Sequence, residues 1–84
     1  MCYQQVLNNL AFVQAKSGKT EAALKNALEA VKLQPDNASI LDTAGWLLVQ
    51  TGSKRRGIDM LARAAKLDPD NQTIAQHLSK ARSL

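Results

Sequence analysis

Side chains able to act as nucleophile, base or metal ligand are sparse in this 84-residue chain, with Cys2 its single cysteine and His77 its single histidine. A zinc site needs several His, Cys or carboxylate donors converging on one point, and nucleophilic catalysis needs a base beside the nucleophile. His77 stands alone in the last helical stretch, Cys2 lies at the very start, and neither has a second ligand or base at metal or triad spacing. The glycines Gly18, Gly45, Gly52 and Gly57 form no phosphate-cradling run. The sequence therefore predicts no catalytic residue, no metal ligand and no cofactor. A lone cysteine also rules out an intrachain disulfide.

What remains is surface chemistry. Lys54-Arg55-Arg56 is the one basic cluster, with Arg63 and Lys66 one or two turns beyond, and it could meet a phosphate or an acidic partner. No aromatic residues interleave with it and no nucleic-acid motif accompanies it, so a solvated surface is the preferred reading and no nucleic acid is expected as partner. The net charge of +4, from 11 Lys/Arg against 7 Asp/Glu, also serves ordinary solubility. No apolar stretch approaches the roughly 20 residues that span a bilayer, so membrane insertion is not expected. The N-terminus lacks the basic region and apolar core of a signal peptide.

These residues are positioned by a repeat. Leu33-Gln34-Pro35-Asp36-Asn37 returns as Leu67-Asp68-Pro69-Asp70-Asn71, and Gly18/Gly52, Ala30/Ala64, Lys32/Lys66 and Ile40/Ile74 share the same offset of 34. A period of that size marks a stacked repeat protein. Within each period the apolar residues follow helical spacing. Val6, Leu7, Leu10, Ala11 and Val13 predict a helix over about 4–15, closed by Ser17-Gly18. Thr20 is the expected cap of a second helix, with Ala23, Leu24, Ala27, Leu28, Ala30 and Val31 inward, and Pro35 halts it near Leu33. Asn37 caps a third over about 38–50, carrying Ile40, Leu41, Ala44, Leu47 and Leu48, and Thr51-Gly52 ends it. Ser53 is the expected cap of a fourth, with Ile58, Leu61, Ala62, Ala64 and Ala65 inward; Asn71 caps a fifth over about 72–82, with Ile74, Ala75, Leu78 and Ala81 inward. Five helices with short connections and no strand signal predict an all-α solenoid.

The pattern resembles the tetratricopeptide repeat, in which 34 residues fold as two antiparallel helices. Leu7, Leu10-Ala11, Gly18, Ala23, Ala27, Ala30 and Pro35 fill its places in the first repeat, and Leu41, Ala44-Gly45, Gly52, Gly57, Leu61, Ala64 and Pro69 fill them in the second. The small residues carry a physical demand: Ala11 or Gly45 must let the paired helix approach at Ala23 or Gly57. The family's opening Trp is Leu in both repeats, and its later Tyr is Gln14 and then Leu48. The resemblance implies a right-handed α-α superhelix of two helix pairs, about 4–37 and 38–71, plus a C-terminal capping helix at about 72–82, all in one domain. The run Leu41-Asp42-Thr43-Ala44-Gly45-Trp46 also looks like repeats of bacterial arrays linked to exopolysaccharide export and protein sorting.

The family's function is to hold a protein or peptide partner on a concave surface, without catalysis. By family geometry that surface would carry Asn8, Asn9, Phe12, Asp42, Thr43, Trp46, Gln50, Gln76 and Lys80. Phe12 and Trp46 occupy the same place 34 residues apart, and either line the surface or wedge as core between successive pairs. The surface is preferred, because the same place in the last helix is Lys80. Some family members clamp a C-terminal carboxylate with Lys, Arg and Asn; Asn8, Asn9, Asp42 and Thr43 do not supply that clamp, and Asp42 would repel a carboxylate. Nothing polar caps the front of the first helix, which suggests either the C-terminal end of a longer array or a homo-oligomer that covers the open N-terminal end. Self-assembly is therefore the alternative to a partner-binding module.

Overall fold

The computed structural model describes residues 19–84. They form four helices: α1 (Thr20–Leu33), α2 (Ala38–Gln50), α3 (Lys54–Leu67) and α4 (Gln72–Ser83). Among the described residues there is no strand. The helix predicted over about 4–15, with Asn8, Asn9, Phe12 and the open N-terminal end, lies outside them.

The helices start and stop where local chemistry dictates. Asn37 and Asn71 sit at the N-caps of α2 and α4 in extended conformation, and each side-chain oxygen accepts from the amide three residues on, Ile40 at 3.2 Å and Ile74 at 3.1 Å. Their amide groups also donate backwards, Asn37 to Gln34 Oε1 at 2.8 Å and Asn71 to Asp68 Oδ2 at 3.2 Å, so the recurring turn is held at both ends. After α2, the amide of Ser53 donates to the Leu48 carbonyl at 2.8 Å and that of Gly52 to Val49 at 3.3 Å. This is a Schellman closure, and it needs a left-handed residue, supplied by Gly52 at φ 95°.

Two expected caps differ. Thr20 is already helical; the chain enters α1 one residue earlier, at Lys19, whose carbonyl accepts from Ala23 at 3.0 Å. Ser53 does stand at the N-cap of α3, but its side chain makes no capping bond. The reason is backbone geometry: ψ is 58° at Ser53, against 111° and 108° at Asn37 and Asn71. Only the extended setting aims a short polar side chain at the free amides of the first turn.

Helix α2 is the hub, packing on α1, α3 and α4, while α3 also packs on α4. Ala23 and Ala27 of α1 meet Ala44 and Leu47 of α2; Ala30 meets Ile40. Leu41, Ala64 and Ile74 join α2, α3 and α4, and Val49, Leu61 and Ala81 form a second junction of the same three helices. Alanine dominates the buried side of α1 because a small side chain lets helix axes close up, and the buried leucines and isoleucines fill the spaces left. Val49 is a core residue that the period alone did not single out.

The closest approach is backbone on backbone. A methyl group placed on Gly57 would lie 2.5 Å from the Gly45 carbonyl oxygen and 2.5 Å from Val49 Cγ2; one placed on Gly45 would lie 2.9 Å from the Gly57 carbonyl oxygen. The expectation that Gly45 admits the paired helix at Gly57 is met directly. At the far end, Ala75 is exposed, contrary to its expected inward place. It holds the position that Leu41 fills one repeat earlier, where Ala64 of α3 and Ile74 of α4 cover it, and no described helix follows α4 to do the same.

Candidate functional site

Asp42, Trp46 and Gln50 follow one another at intervals of four along α2 and share one stripe, with Thr43 beside Asp42. This stripe borders α4, the corresponding first helix of the next pair. Across that border, His77 brings its Nδ1 to 2.7 Å from Asp42 Oδ1. The same imidazole lies over Trp46, with ring centroids 4.6 Å apart and planes 13° from parallel. One histidine on α4 is thus held at its edge by a carboxylate and on its face by an indole, both from α2.

Burial makes this cluster more than a surface contact. The Asp42 side chain is only 13% exposed and that of His77 27%. A carboxylate taken that far from water needs a donor, and His77 supplies one. Trp46 is half-buried, its inner side packed on the junction of Val49, Leu61 and Ala81 together with Ile58 and Leu78. Trp46 is thus neither wholly core nor wholly exposed: part of the indole seals α2 to α4, and the remainder stays open.

The other predicted residues take simpler places. Thr43 turns its hydroxyl back to donate to the Ser39 carbonyl at 3.1 Å. Gln50 is exposed at the last position of α2, and Gln76 and Lys80 are exposed on α4, Lys80 three residues after His77. The structure brings Asp42 and Trp46 to one residue, His77; among the described residues no hydrogen bond, ion pair or ring contact joins Thr43, Gln50 or Lys80 to that group.

His77 is the residue the sequence reading missed. By spacing it stands alone, and the structure corrects this: its partners Asp42 and Trp46 lie 35 and 31 residues away on a helix that neighbours α4 only through the stacking of repeats. No linear spacing rule reaches across that gap. The repeat offset of 34 itself does, since it puts His77 in the place of Thr43, which the family resemblance puts on the concave surface.

The basic residues are used partly for tying helices. Lys54, at the start of α3, donates to the Leu84 carbonyl at the end of α4. Arg63 on α3 donates to the Pro35 carbonyl at 3.2 Å and lies 3.7 Å from Asp36 Oδ1, linking α3 to the turn after α1. Both groups of that pair are well exposed, so it contributes at most about 1 kcal/mol. Arg55 and Arg56 are exposed. Among the described residues, no three His, Cys, Asp or Glu side chains are grouped to hold a metal ion, and no helix is long and apolar enough to cross a membrane.

Residues 4–37 match the family model of the tetratricopeptide repeat. The match falls on the first 34-residue period, and α3 (Lys54–Leu67) repeats α1 (Thr20–Leu33) at an offset of 34, each followed by a proline turn. Repeats of this kind generally mediate protein–protein interaction and are typically not catalytic. Period, packing and family match agree on a tetratricopeptide repeat at residues 4–37, and the second period follows the same plan.

Proposed function

We propose that the chain is a non-catalytic interaction module whose α2–α4 face receives a peptide or protein segment. Trp46 is the anchor of that face, Asp42 and His77 hold it in place, and Gln50 and Lys80 line its edges. The observation that carries the reading is the half-buried indole: Trp46 is fixed by His77 and by the core beneath it, yet keeps part of its surface open. A rigid, partly exposed aromatic loses little conformational freedom when covered, which is why such residues dominate binding energies at interfaces.

Peptides selected from a displayed random library on the purified chain provide the test. Trp46→Ala is expected to weaken their binding by about tenfold or more, the usual effect of truncating an interface anchor. Lys80→Ala, at an exposed position that cannot disturb the core, is expected to weaken acidic peptides selectively. Peptides that bind wild type and both variants equally would remove this face as the binding surface. Light scattering on the same samples addresses self-assembly: a mass independent of concentration would remove the homo-oligomer as the occupant.

A further inference from the structure

We propose that Asp42 fixes the tautomer of His77, so that His77 Nε2 is presented as a hydrogen-bond acceptor to an N–H or O–H donor of the bound peptide. This rests on the α2–α4 face being the binding surface and adds the chemistry it would read. A carboxylate oxygen has lone pairs and no proton, so at 2.7 Å Asp42 Oδ1 accepts and His77 Nδ1 donates. A neutral imidazole carries one N–H; once Nδ1 holds it, Nε2 is left with a lone pair.

The Asp42 bond takes Nδ1 and the Trp46 stack takes one ring face; neither engages Nε2. One face of the ring is covered by Trp46, and the Nδ1 edge is covered by a carboxylate that is itself only 13% exposed. The His77 side chain keeps 27% of its surface open to solvent, and neither of those two contacts uses Nε2. A ring flip would keep the stack on Trp46 but carry Nδ1 away from Asp42, so the 2.7 Å hydrogen bond is what holds the nitrogens in place. The acceptor is therefore set in place before a partner arrives. A peptide lying along the face would meet an acceptor at His77 and, one turn on, a donor at Lys80, which is the pairing that a backbone amide or a hydroxyl-bearing side chain can satisfy.

The tautomer can be read without any partner. Long-range proton–nitrogen correlation spectra of uniformly nitrogen-15-labelled wild type, recorded where the imidazole is neutral, are expected to show the Nδ1–H form. Asp42→Asn, whose amide can also donate, is expected to populate the Nε2–H form. With peptides selected on wild type, His77→Phe keeps a flat ring over Trp46 but removes the acceptor, and is expected to weaken binding about fivefold to tenfold, the loss of one hydrogen bond. His77→Gln, whose side-chain oxygen reaches near the place of Nε2, is expected to restore part of that loss. An Nε2–H form in the wild type would overturn the inference outright, with no variant involved. Peptides weakened by Trp46→Ala but not by His77→Phe would also overturn it while leaving the binding face standing. Peptides indifferent to both changes would remove the face and this inference together.

Discussion

At the scale of single residues, the two glycines at the α2–α3 crossing illustrate how magnitude decides between opposed effects. Gly is unfavourable inside a helix by up to about 1 kcal/mol, so Gly57→Ala would stabilise α3 if there were room. There is none: the new methyl would meet the Gly45 carbonyl oxygen and Val49 Cγ2 at 2.5 Å and the Val49 nitrogen at 2.9 Å, and two of those atoms are backbone. Overpacking of a tight core costs about 1–3 kcal/mol, which exceeds the gain, and thermal melts should show Gly57→Ala less stable than wild type. Gly45→Leu should be worse, since its side chain would press on both the Gly57 carbonyl and Leu61. An unchanged melting temperature for either variant would contradict the crossing. The need for small residues at 45 and 57 was legible from their place in the repeat. That not even a methyl fits at 57 was not, because composition reports size classes and only coordinates report tenths of an ångström.

At the scale of the elements, the same residue type in the same sequence context does not always do the same work. Asn37→Ala and Asn71→Ala should each cost about 1 kcal/mol, because each removes a bond to a first-turn amide. Ser53→Ala should fall within about 0.5 kcal/mol of wild type, since the hydroxyl caps nothing. Chemical denaturation of the three variants side by side checks this; a Ser53→Ala loss equal to the asparagine losses would contradict it. Helix existence and order were readable because Pro35, Pro69, Gly52 and the two asparagines punctuate the chain strongly. The start of α1 was misjudged by one residue, and Ser53 misjudged in role, because a hydroxyl near a helix start looks identical whether or not the backbone turns it toward the amides. The Asp42–His77 contact hid for a different reason: it depends on how one pair of helices is laid on the next, a relation that no single helix encodes.

At the scale of the whole molecule, stability is distributed along the stack instead of around one centre. Helix α2 buries seven residues, among them Ile40, Leu41, Leu47 and Leu48, whereas α4 buries only Ile74 and Ala81. In a repeat array each element leans on its neighbours, so the element with neighbours on several sides opens last. Amide hydrogen exchange should therefore be slowest in α2 and faster in α4; equal protection across both would mean that the described helices open only as one unit. The glycine crossing has a mechanical side as well. Two backbones in direct touch leave no layer of side chains to cushion them, so the α2–α3 crossing has little room to give. The seam between α2 and α4 is bridged instead by longer groups, the Asp42–His77 bond and the stacked rings. A partner seated across that seam, as proposed, would act as a brace that converts occupancy into curvature.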